Sequence, residues 1–147
     1  MLFVNPPPGT TPHAIQLRSL AVEPVTSFPY LGSEINESLN LEATGQDRLA
    51  KANAVFAQRR RIWAGHMPLR LKSRMYHALV RPVALYGAEA WTLLPAHESA
   101  IDAAEMWWLR QILGVSPLDH VHNADIRAQT RSPVSLSEVC RQYRLRY

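Results

Sequence analysis

Nine cations, Arg48, Lys51, Arg59, Arg60, Arg61, Arg70, Lys72, Arg74 and Arg81, lie between Asp47 and Glu89, and no acidic residue interrupts them. The chemistry open to such a run is the binding of a polyanion. Each Lys or Arg set against a phosphate releases condensed counterions, so a local cluster favours nucleic acid over an uncharged ligand. The same run also reads as the solvated faces of amphipathic helices, and charge alone leaves both readings open.

Catalytic chemistry has less to work with. Metal-assisted hydrolysis or nucleotidyl transfer needs carboxylates gathered around divalent cations, whereas Asp47, Asp102, Asp119 and Asp125 are isolated from one another. Asp119, His120, His122 and Asp125 form the one group with metal-ligand residue types. A polar loop that caps the following helix accounts for it equally well. Cys140 falls on the apolar side of an expected helix, where a thiol is buried and inert. The chain has no Gly-x-Ser-x-Gly string, glycine-rich phosphate loop or dinucleotide fingerprint. The residues therefore point to a protein that is not an enzyme and that uses no metal or cofactor.

Composition limits what must position these groups. The chain has 147 residues, 47% of them hydrophobic and 19% charged, which suits one modest folded core. A net charge of +4 biases partners toward anions. The single cysteine excludes an internal disulfide framework and fits a reducing compartment. The N-terminus lacks the charged start of a signal peptide, and no apolar run reaches the roughly 20 residues that span a bilayer. A soluble, intracellular protein is expected.

The fold expected is mainly α, a short N-terminal β-hairpin followed by a small helical bundle. Residues 1–13, with Pro6, Pro7 and Pro8, read as a disordered proline-rich tail. Residues 14–40 hold two short β-branched and aromatic stretches separated by Pro24 and Pro29, an irregular hairpin of about two strands. Residues 41–147 form the bundle. The spacing of Leu49, Ala52, Val55, Phe56, Ile62 and Trp63 predicts one helix from Leu41 to Trp63. A second helix starts at Pro68 and carries Leu71, Met75, Tyr76, Leu79 and Val80. Pro82 kinks or ends it, and Gly87 makes a turn. A third runs from about Pro95 to Leu113 on the stripe Ile101, Ala104, Trp108 and Ile112, stopped by Gly114. Asn123 is expected to cap a short helix through Gln129, and Ser132 or Ser135 to start a last one bearing Leu136, Val139, Tyr143 and Leu145. The aromatics Trp63, Tyr76, Tyr86, Trp91 and Trp108 are expected in the core, with Trp107 rotated partly into solvent.

Five strings, in their order and spacing, resemble the region that follows the polymerase palm in the endonuclease and reverse transcriptase proteins of LINE-type, non-LTR retrotransposons. They are FPYLGSEI (28–35), RLAKANAVF (48–56), SRMYHALVRPVALYGAEAWTL (73–93), AAEMWWLRQILGV (103–115) and SEVCRQYRLRY (137–147). The likeness runs from about Ala14 to the C-terminus. It implies that Tyr30, Leu31 and Gly32 sit in a primer-grip-like hairpin and that the helices resemble the thumb, which closes over the template–primer duplex. Together with charge, it makes Arg59, Arg60, Arg61, Arg70, Lys72 and Arg74 candidates for contacts to the nucleic-acid backbone.

The chain also departs from the family. The aromatic-x-Asp-Asp motif of the palm is not among these residues, so the two-metal mechanism of RNA-directed DNA polymerases has no seat here. The family usually continues with a Gly-His segment where this sequence stops. Thr44 and Gly45 replace a helix-favouring stretch, and the three consecutive arginines partly displace an apolar position. The resemblance thus implies a truncated, catalytically incompetent piece of a reverse transcriptase that binds an RNA or DNA template–primer duplex. Its apolar faces would seek a missing palm domain or a second copy of the chain. The parent chemistry implies the nucleus, although Arg59–Arg61 alone is a poor import signal. The alternative is a non-catalytic helical interaction or structural module with no nucleic-acid role.

Overall fold

The structure, a computed structural model, describes residues 15–17, 20–30, 33–36, 42–91 and 93–146. It is mainly helical. Ahead of the helices, β1 (Ile15–Leu17) pairs antiparallel with β2 (Leu20–Val22), and β3 (Ser27–Tyr30) with β4 (Ser33–Asn36). Tyr30 ends β3 opposite Ser33. The expected tail, residues 1–13, lies outside the described residues, as do Leu31 and Gly32.

The stretch expected as one helix is two. α1 (Glu42–Ala57) stops before Gln58, and α2 (Arg60–Ala64) turns away from it. Positions 56 and 63 of a continuous helix would be roughly 10 Å apart along the axis, too far for their rings to touch. The break instead stacks Trp63 on Phe56 with ring centroids 4.9 Å apart. It also adds side-chain donors at the end of α1: Trp63 Nε1 donates at 2.8 Å to the Phe56 carbonyl, which accepts from the Arg59 N–H as well, and Arg59 Nη1 donates to the Val55 carbonyl at 2.7 Å.

Pro68 precedes α3 (Leu69–Met75), which passes through a π-turn (Tyr76–Val80) into α4 (Arg81–Ala84). Pro82 therefore does not end the helix. The N–H of Arg81 reaches back five residues to the Tyr76 carbonyl, and this wider turn makes room for a proline ring that an α-turn would drive against the carbonyl of Ala78. The inward side is accordingly Ser73, Tyr76, Val80 and Ala84 rather than one built on Leu71, which is 43% exposed.

α5 (Pro95–Leu113) is the central helix, ended by Gly114 at φ +73°, a left-handed conformation that glycine adopts without strain. It packs against α1, α2, α3, α6 (Asn123–Gln129) and α7 (Leu136–Arg144). Its buried side includes Ile101, Met106, Trp108, Leu109 and Ile112, but also a charge that the apolar stripe does not foretell. Glu105 is 0% exposed. Its carboxylate accepts from Tyr76 Oη at 3.1 Å, Arg127 Nη1 at 2.6 Å and the Leu136 N–H at 3.2 Å, so it ties the π-turn, α6 and α7 to α5. One turn earlier, Asp102 accepts from the Ser137 N–H at 3.0 Å and its hydroxyl at 2.7 Å. Ser135 caps α7, and the two carboxylates of α5 complement the positive end of that helix. Asn123 is the first residue of α6 rather than its cap, and its side chain accepts from both terminal nitrogens of Arg110.

Breaking a buried ion pair from one side leaves the other charge unsatisfied. Glu105→Ala is expected to cost about 3–5 kcal/mol in urea unfolding, and Tyr76→Phe, which removes one neutral donor, only about 1–2 kcal/mol. Equal losses from the two would show that the carboxylate is not the hub of the network.

Candidate nucleic-acid interface

Folding divides the nine cations by the work each does inside the chain. Arg48 is nearly buried, its guanidinium 4.5 Å from the centre of the Tyr86 ring. Lys51 pairs with Asp47 one turn away on α1. Arg59 covers the end of α1, and Lys72 Nζ donates to the Trp63 carbonyl at 2.6 Å, closing the end of α2. Arg81 Nη1 donates to His77 Nδ1 at 3.3 Å. The remaining four, Arg60, Arg61, Arg70 and Arg74, are exposed and have no side-chain partner among the described residues.

Helix geometry then separates what the sequence runs together. Arg70 and Arg74 stand one turn apart on α3, and Lys72, two positions on from Arg70, points to the other side of that helix. Lys72 instead joins Arg60 at a cleft of about 560 Å³ between α1, α2, α3 and the end of α5, lined also by Phe56, Trp63, Trp107 and Gln111. Arg60 and Arg61 flank a second hollow over Ala57 and Ala64. On α3, Lys72 is thus set apart from Arg70 and Arg74. Arg59 and Lys72 are committed mainly to helix ends, and the four free guanidiniums carry the exposed charge.

Trp107, which α5 rotates off its apolar stripe, is 51% exposed and packs one side against Phe56 at 5.6 Å between ring centres. Gln111 and Gly114 share the cleft with it and were not foreseen as site residues. Their spacing of four and seven from Trp107 was the available signal, a helical face of neither apolar nor charged character.

Other groups with chemical potential serve the fold. Asp119 accepts from the Ser116 N–H at 2.6 Å, and Ser116 Oγ from the Leu118 N–H at 3.2 Å, which organises the loop ahead of α6. No set of three or more His, Cys, Asp or Glu side chains that could hold a metal occurs among the described residues. His77 faces the buried Ser132, with Nε2 and Oγ 3.2 Å apart. A guanidinium can only donate, so Nδ1 accepts from Arg81 and the ring proton sits on Nε2. Burial, and then the Arg81 charge, hold the imidazole below its usual pKa. A cation on the far nitrogen opposes the imidazolium that a serine nucleophile would need, so the pair is structural. Burial pushes the Cys140 thiol up to about 12, and burial followed by the Glu105 charge raises the Tyr76 phenol. No described helix is long and apolar enough to cross a membrane.

Comparison of the chain with protein-family models, curated proteins and solved structures finds no match in any of the three.

Two solution properties follow from these environments. The unfolded chain, whose histidine titrates near 6.5, binds more protons than the folded one between that value and the lowered pKa of His77. The contribution of His77 to stability is thus full above about pH 6.5 and is lost as pH falls toward and through its folded pKa. Urea midpoints measured down to pH 5 should fall more for the wild type than for His77→Gln, and parallel curves would refute the assignment. Cys140 should react with a thiol reagent at pH 8 only as fast as the chain opens, with denaturant restoring rapid labelling. Fast labelling of the folded protein would place the sulfur in solvent.

Proposed function

We propose that this chain is a thumb-like, non-catalytic nucleic-acid-binding bundle of the kind that follows the palm in LINE-type reverse transcriptases, and that it holds a template–primer duplex through its phosphates. The observation that carries the reading is the set of exposed guanidiniums, Arg60, Arg61, Arg70 and Arg74, left without partners among the described residues on a segment that holds no acid between Asp47 and Glu89. Arginine suits this work because its planar fork meets two phosphate oxygens at once. Contacts of that kind position a duplex without reading its sequence.

The order of the helices and the five sequence strings support the thumb-like assignment. On this reading β3 and β4 are the hairpin beside the primer end, with Tyr30, Leu31 and Gly32 in the primer-grip position. The polymerase carboxylates belong to the palm, so these residues perform no chemical step of their own. The alternative, a helical interaction module, draws on apolar side chains left at the surface, among them Leu71, Tyr86, Leu94 and Leu118.

Anisotropy of a labelled RNA–DNA hybrid, titrated across a salt series, separates the two. A phosphate-binding surface gives saturable binding whose log affinity falls linearly with log salt. Replacing Arg60, Arg61, Arg70 and Arg74 by Gln should weaken binding uniformly across sequences and flatten the slope by up to about 0.9 per arginine. No binding by the folded wild-type protein, or a slope unchanged in the variant, would favour the interaction module.

A further inference from the structure

We propose that the cleft between α2, α3 and the C-terminal end of α5 seats one unpaired nucleotide, with its base against Trp107 and its phosphate between Arg60 and Lys72. The proposal rests on the phosphate-surface reading above and gives that surface a site that duplex binding does not require. Three features converge. The cleft encloses about 560 Å³, its floor is the stacked pair Phe56 and Trp63, and its charged lining residues are Arg60 and Lys72.

Trp107 supplies the platform. Half of the residue is exposed while Phe56 buttresses it from beneath, so its position is held without its surface being covered. An indole accepts any base, because every base has a π-face, and paired bases in a duplex keep theirs covered by neighbours. A single-stranded or overhanging nucleotide is therefore the form that fits.

Lys72 supplies charge at the point where the fold would otherwise oppose an anion. Its ammonium covers the Trp63 carbonyl at 2.6 Å, and two of its three N–H groups remain for a phosphate. Arg60, exposed on α2 and without an internal partner among the described residues, reaches the same cleft. Gln111, one turn beyond Trp107 on α5, adds an amide able to meet a base edge.

The test compares two probes by anisotropy, a short labelled oligouridylate and a labelled blunt-ended RNA–DNA hybrid. Trp107→Ala should weaken the oligouridylate roughly 5- to 150-fold, the scale of one lost stacking contact, and leave the hybrid unchanged. Gln111→Glu, an exposed change that removes the amide donor at the base edge and puts a negative charge in the cleft, should weaken the oligouridylate while leaving the thermal midpoint at its wild-type value. If the hybrid binds and neither variant alters oligouridylate affinity, the nucleotide site is wrong and the phosphate surface stands. If the wild type binds neither probe, both fail. Self-association abolished by Trp107→Ala, with oligouridylate binding intact, would make the cleft an interface between copies and overturn the proposal.

Discussion

The carboxylate of Glu105 is the constraint on which the bundle depends. It lies wholly inside α5 and gathers the Tyr76 hydroxyl, the Arg127 guanidinium and the Leu136 N–H, groups from three separate elements. A buried charge of this kind is tolerable only when its lone pairs are satisfied, so each partner must arrive for the others to be worth burying. That mutual requirement sets the positions of the π-turn, α6 and α7 more narrowly than apolar packing would. Hydrophobic contacts are non-directional, whereas a carboxylate accepts along defined directions. Asp102 repeats the device one turn away, with the Ser137 N–H and hydroxyl as its donors.

The surface follows from that interior order. With α5 fixed, Trp108 turns inward and donates to Asn53 at 2.8 Å, which draws α1 against the central helix. Its neighbour Trp107 must then face outward, since adjacent helical positions differ by about 100°. The short α2 packs beside it and brings Arg60 to the cleft, and Lys72 closes the end of α2 from α3. Charge and aromatic surface thus meet through helix-end chemistry, in which each cation either satisfies an open carbonyl or remains in solvent. At the far end of the bundle, Arg141 grips Glu98 through Nε at 3.0 Å and Nη2 at 2.7 Å. That fork is exposed and contributes little to stability, serving to orient α7.

Periodicity made several elements legible. The span of α5 and its stop at Gly114 were plain because a long apolar stripe, a proline at the first position and a glycine beyond the last all agreed. The same local logic offered Ser132 or Ser135 as the start of α7, of which Ser135 is the cap, and turned Trp107 outward. The break at Gln58 was not legible, because the spacing of Phe56 and Trp63 satisfies a helix and nothing local reveals that stacking and two side-chain donors favour a turn. The passage through Pro82 was missed for a related reason. A proline normally stops a helix, and only the packing of Tyr76 and Val80 into the core explains why the chain widens to a π-turn instead.

The sequence by itself determined that this is a mainly helical chain with a dense basic segment, for helical period and charge clustering are properties of neighbours along the chain. Only the tertiary structure decided which charges are available. Arg48, Lys51, Arg59, Lys72 and Arg81 carry the same formal charge as Arg60, Arg61, Arg70 and Arg74, yet the first five are engaged by a ring, a carboxylate, open carbonyls and an imidazole. The role of Glu105 was equally hidden. A glutamate in a helix is solvated by default, and whether it is buried depends on donors 22 to 31 residues away in the chain. Such partners meet only when the helices pack, and that long-range encounter is what sequence spacing does not encode.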